Sequence, residues 1–173
     1  MSRSLTDVAP AALVPAAWAV VLTAVVGLVS PDTLFVVLAV MASLLGAFAF
    51  GTRDELVGPV LGLWRWVLVL GFVITLVGAA DLAVTPAADP TLAVTLYGWA
   101  ALPALALVAT AQSVDTPYST VYLAGSMCSL AGAATHALAG SSVDAAVGIA
   151  VVGLGQTAAT VAAVVQNADA SGN

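Results

Sequence analysis

The chain of 173 residues contains no lysine, three arginines, one histidine and one cysteine, and only 7% of its residues are charged. Each shortage closes off a class of function. Soluble domains carry roughly 25% charged residues, so this composition cannot clothe a water-facing surface. Without clusters of Lys and Arg there is no footprint for a nucleic-acid backbone, and none for anionic lipid headgroups. A retinal Schiff base needs a lysine, bis-histidine haem needs a second histidine, and a Cys/His zinc site lacks its ligands. No cofactor is expected. Cys128 alone excludes an intrachain disulfide or a CxxC pair, and inside an apolar run it is expected to be a small buried hydrophobe. No GxSxG elbow, GxGxxG loop or Walker pattern occurs, so catalysis of an ordinary kind has no visible nucleophile or phosphate cradle.

What remains is apolar. Hydrophobic residues make up 62% of the chain and the mean hydropathy is +1.13. The solvent such a surface fits is lipid, and the lipid bilayer is the expected partner. Nine acidic residues give a formal charge of −6 and fall mainly in turns and tails. Together with the Ala/Val-rich core they make a halophile-like composition.

About 20 apolar residues cross a hydrocarbon layer of roughly 30 Å. Six stretches suit that length: 11–29, 33–50, 61–84, 91–111, 118–138 and 143–166. Short connections rich in Pro, Gly, Asp and Ser separate them, as turn chemistry requires. Period-2 alternation is absent, which leaves helices as the form that satisfies the backbone in lipid. The sequence therefore predicts an all-α polytopic membrane bundle of six transmembrane helices, arranged as three antiparallel hairpins. Residues 1–173 form one integral membrane domain with polar tails at 1–8 and 167–173. The first apolar stretch lacks an A-x-A cleavage pattern and reads as a span rather than a signal peptide. Placing both termini in the cytoplasm puts Arg3, Arg53 and Arg65 on that side, the positive-inside arrangement of a plasma-membrane protein. Asp32, Asp81, Asp89 and Asp144 then gather at the outer face.

Three groups of residues are candidates for more than apolar packing. Trp64, Arg65 and Trp66 head the third span. They read as interface anchors, with the rings in the aromatic belt and the guanidinium at the phosphates. The rival reading makes Arg65 an intramembrane counter-ion. In the fifth span Tyr118, Tyr122, Gly125, Ser129, Gly132 and His136 recur at helical spacing and share a face. Gly125 to Ser129 and Ser129 to Ala133 are small-xxx-small steps, which favour close helix packing; a polar stripe along a water path is the alternative. Gln156 in the sixth span must satisfy its amide within lipid, so a hydrogen bond to Ser126 or Ser129 is expected. The third group is ionisable: His136, Asp144 and Asp81 come to similar depth at the outer face. They are wet interfacial groups or a site for protons or cations.

The middle hairpin, RWVLVLGFVITLVGAADLAVTP followed by PTLAVTLYGWAALPALALVATA, resembles the three-hairpin membrane proteins of the HdeD acid-stress type. Trp66, Gly71, Gly78 and Pro86 or Pro90 follow the order of tryptophan, two glycines seven apart and a proline turn. Gly27 and Pro31 stand in the matching places of the first hairpin, and the third lacks the proline. The resemblance covers the middle third of the chain. It implies a non-enzymatic membrane protein with no catalytic residues to carry over. Expected roles are thus structural, stress-related or as a small subunit, with a homo-oligomer or other membrane subunits as partners. A transport component is the alternative: a substrate-binding subunit driven by partner ATPases, or a small channel. That reading calls for a midplane cavity lined by residues such as Thr75, Tyr97 and Gln156.

Overall fold

A computed structural model describes the backbone of residues 5–54, 56–84 and 90–172, and the side chains of 12–54, 56–84 and 92–170. Arg3, Pro86 and Asp89 lie outside the described residues. The described chain forms six helices: α1 (Leu5–Val25), α2 (Pro31–Gly51), α3 (Pro59–Val84), α4 (Pro90–Ala111), α5 (Tyr118–Ala137) and α6 (Ser142–Gly172). Four of the helical stretches are long and apolar enough to cross a membrane: Pro31–Gly51, Pro59–Val84, Leu92–Ala111 and Ser142–Ala170.

Local chemistry sets the helix ends. Prolines open α2, α3 and α4, where a missing N–H costs nothing. Ser30 caps α2 by accepting the Thr33 N–H at 3.3 Å. Gly27 and Gly58 take left-handed φ values of +76° and +91°, which an L side chain resists. The first of these ends α1 at Val25, earlier than the apolar run to Val29 implies. Ser141 caps α6: its hydroxyl accepts the Asp144 N–H at 3.2 Å and donates to the Asp144 carboxylate at 2.8 Å.

The helices gather into two compact units. In one, residues 27–106, α3 packs against α2 and against the part of α4 before residue 107. In the other, residues 1–26 and 107–173, α6 packs against α1 and α5. Contacts inside each unit run antiparallel. As α5 advances from Tyr122 to Ser129 to Gly132, its partners on α6 retreat from Gln166 to Gln156 to Gly148. As α3 advances from Gly71 to Gly78, its partners on α4 retreat from Trp99 to Thr95.

The burial pattern inverts that of a soluble protein. Ser126, Ser129, Thr75, Thr95 and Gln156 are buried, whereas Phe35, Val40, Leu44, Met127 and Leu154 are exposed. Exposed apolar area on this scale marks a surface made for something other than water. Most buried positions carry Ala, Gly, Ser or Thr, the residues that let helix backbones approach in lipid.

Candidate functional site

The densest polar feature is a three-helix tie centred on Gln156. Its side chain is 6% exposed and faces both neighbours of α6 at once. Its amide nitrogen donates to Ser129 Oγ of α5 at 2.9 Å, and its carbonyl accepts the indole N–H of Trp18 in α1 at 3.0 Å. Ser129 is fully buried and Trp18 is 7% exposed. A glutamine has donors and an acceptor on one planar head, so a single residue can join helices on opposite sides of its own. In a low-dielectric bundle these bonds are stronger electrostatically than in water, and losing one partner strands the other.

Glycines make the approach possible. A Cβ built at Gly132 would lie 2.5 Å from the Gly148 carbonyl oxygen, and one at Gly125 would lie 2.7 Å from the Gly155 carbonyl oxygen. These are backbone atoms, so neither position has room for a side chain. Nearer the other end of the pair, the Tyr122 hydroxyl donates to Gln166 Oε1 at 2.6 Å and the Tyr118 hydroxyl donates to the Asp169 carboxylate. The Tyr118–Tyr122–Ser126–Ser129 stripe thus lies along α6, with Tyr122, Ser126 and Ser129 buried and Tyr118 at its half-buried margin.

The second unit holds a shorter relative of this tie. Trp99 of α4 donates its indole N–H to Thr75 Oγ1 of α3 at 2.8 Å, and Thr75 donates to the Gly71 carbonyl of its own helix at 2.7 Å. Thr95 donates to the Ile74 carbonyl at 2.9 Å. A Cβ at Gly71 would meet the Trp99 ring at 2.6 Å, so the indole lies directly on that glycine.

Of the ionisable trio, His136 and Asp144 belong to one unit and Asp81 to the other. Asp144 is exposed and engaged in the α6 cap with Ser141. His136 is half-buried at the end of α5, where its backbone runs close over Gly148. Asp81 belongs to α3 in the other unit. Among the described residues no group of three or more His, Cys, Asp or Glu is placed to hold a metal ion. Trp64, Arg65 and Trp66 sit in the second turn of α3, with Arg65 exposed, Trp66 64% exposed and Trp64 half-buried. Arg53 pairs with its neighbour Asp54 at 3.6 Å on the surface.

Cys128 corrects one expectation: it is exposed, not buried. Successive helix positions turn by about 100°, so Ser129 in the inward position carries its neighbour outward. Two tryptophans, Trp18 and Trp99, escaped the sequence reading as donors. The available signal was chemical: a tryptophan inside an apolar helix has one N–H that must find an acceptor. No family model, curated protein or solved structure matches the chain.

Proposed function

We propose that the chain is a six-span integral protein of the plasma membrane, with both termini cytoplasmic and no catalysis of its own. It serves as a structural or stress-related element, or as a small subunit of a membrane complex. The observation that carries this reading is the consumption of interior polarity. Gln156, Ser129, Trp18, Thr75 and Trp99 spend their hydrogen-bonding groups on one another. Groups satisfied by neighbouring helices rigidify a bundle, and the bonded atoms of these five residues are thereby engaged in helix packing rather than offered to a solute. The stress-related role rests on the resemblance of the middle hairpin to HdeD-type proteins.

Two helices need an argument to count as spans. Tyr122, Ser126 and Ser129 of α5 are buried. Leu123, Met127 and Leu130 are exposed beside Thr120 and Thr135, the latter bonding back to the Ala131 carbonyl, so the outward face is mainly apolar. α1 has an apolar stretch at Ala12–Val25, shorter than the stretches in α2, α3, α4 and α6. The whole helix of 21 residues reaches about 31 Å, which supports a crossing only with its first turns included.

Six crossings predict a fixed sidedness. On a Cys128→Ala background, single cysteines at Thr52 and Ser113 should react with a membrane-impermeant maleimide only from the cytoplasmic face. Cysteines at Ser30 and Ser141 should react only from the opposite face. Two adjacent connections labelling from one side would remove a span and end the six-span reading.

The second reading, a transport component, is favoured by one fact. A buried glutamine in lipid is costly and often marks a pathway. Proteoliposomes separate the two. The scaffold reading expects proton and cation leaks equal to those of protein-free vesicles, whereas a flux abolished by Gln156→Leu would replace it with transport.

A further inference from the structure

The two units follow one plan. In each, a central helix carries a glycine with a hydrogen-bonding side chain three or four residues later. In each, the tryptophan of a neighbouring helix lies on that glycine and donates its N–H to that side chain. The sets are Trp99 on Gly71 with Thr75, and Trp18 on Gly153 with Gln156. Trp18 and Trp99 are 81 positions apart, and Gly71 and Gly153 are 82 apart. Between them, MASLLGA at 41–47 and MCSLAGA at 127–133 share five of seven residues, 86 positions apart. Gly46 and Gly132, in the same place in both segments, each pack against the central helix of their unit. The serines of the two segments diverge: Ser129 faces α6, whereas Ser43 is exposed and bonds back to Ala39.

These spacings match three helices against three, α1–α2–α3 against α4–α5–α6. The contacts then acquire a simple description. The second and third helices of each half stay together, as α2 with α3 and α5 with α6. The first helices are exchanged: α4 packs on α3, and α1 packs on α6. We infer that residues 1–84 and 90–173 are two copies of one three-helix element, and that each copy completes the other by lodging its first-helix tryptophan on the other's third-helix glycine. The partner recognised by the Gly71–Thr75 face and by the Gly153–Gln156 face is the same chain's other half.

The exchange has a consequence for sidedness that rests on the six-span reading. An element with an odd number of crossings, repeated once, must run in the opposite sense the second time. Such inverted repeats build many membrane transporters. The cysteine labelling above tests the crossings independently of the exchange.

The exchange is tested on the full-length chain in mild detergent, on the Cys128→Ala background, with a protease site in place of the 85–89 connection. After cleavage the two pieces should co-elute as one species. Trp18→Ala and Trp99→Ala should loosen them comparably, and the double variant should release them. Trp66→Ala, on an exposed face, should leave them joined. A cut parent that separates, or a cut double variant that stays whole, overturns the exchange. Release caused by one tryptophan alone overturns the equivalence of the copies. Should the double variant fold poorly, a cysteine pair decides. A Cβ at Gly153 lies 2.9 Å from the Trp18 Cβ, so Trp18→Cys with Gly153→Cys should form a disulfide with a small adjustment. On a non-reducing gel the cleaved, oxidised pair should run as one band. Two bands after oxidation would mean that α1 does not dock on α6.

Discussion

Gln156 and Thr75 occupy like positions in their units, yet they tie different numbers of helices. Gln156 reaches α1 and α5 together, so its unit is bonded across both seams. Thr75 is too short for that. It accepts from Trp99 on one side and turns its own proton back to Gly71. The second seam there, between α3 and α2, rests on apolar contact, with the Phe72 ring against Gly46 and edge-on to Phe50 at 6.4 Å between centroids. Side-chain length thus decides whether the residue at this place ties one neighbouring helix, as Thr75 does, or two, as Gln156 does. Backbone proximity follows: α5 approaches α6 to the limit that glycine permits, while α2 meets α3 through a ring.

The largest way to break this contrast is a side chain at the tight seam. Gly132→Leu meets the Gly148 carbonyl and the Val152 backbone nitrogen, atoms that cannot rotate away. Overpacking of yielding cores costs about 1–3 kcal/mol, and here the cost should reach or exceed the upper end. Gly46→Ala meets only the movable Phe72 ring at 3.2 Å, and should cost about 1 kcal/mol or less. Thermal melts in detergent, followed by circular dichroism, rank the two; equal losses would erase the distinction between the seams.

Next is Gln156→Leu, which strands the Trp18 N–H and removes the Ser129 partner. A loss of about 1–3 kcal/mol is expected, and Thr75→Val, stranding one donor, should lose less. Trp18→Phe added to Gln156→Leu should cost little more, because the two bonded groups are coupled. Full additivity in denaturation would show that the hydrogen bond contributes nothing. Smaller still is Ser141→Ala, worth about 1 kcal/mol through the α6 cap and visible as faster amide exchange in its first turn. Arg53→Ala should move the melt least. Exposed ion pairs give about 0–1 kcal/mol, and a larger drop would point to a further role for that arginine.

Much of this was legible beforehand, and the reason is local. Helix positions followed from apolar run length and from the Pro, Gly and Ser punctuation, all read within a few residues. The α5 stripe was legible because helical period places Tyr122, Ser129 and Gly132 together without knowledge of the partner. Gln156 announced itself by chemistry, since a buried amide must be answered. The packing of α1 on α6 was not legible. Trp18 and Gln156 are 138 positions apart, and nothing local says which of five other helices a tryptophan will meet. Consecutive pairing is the natural expectation for helices joined by short turns, and it describes α2 with α3, α3 with α4 and α5 with α6. It does not lead to the contact between the first helix and the last. The outward turn of Cys128 was hidden for a subtler reason: composition says that the residue is apolar, while only the phase of Ser129 says which way it faces.

That outward phase gives the molecule a built-in depth gauge. Cys128 is the chain's one thiol, it is exposed, and it stands halfway along α5. Under the proposed six-span reading, in which α5 crosses the bilayer, a nitroxide attached there would report from the middle of the acyl chains. It should relax strongly with dissolved oxygen and hardly at all with a water-soluble nickel chelate. The native sequence therefore carries its own probe of immersion, needing no engineered residue, and its signal would betray any arrangement in which that helix lay flat at the surface.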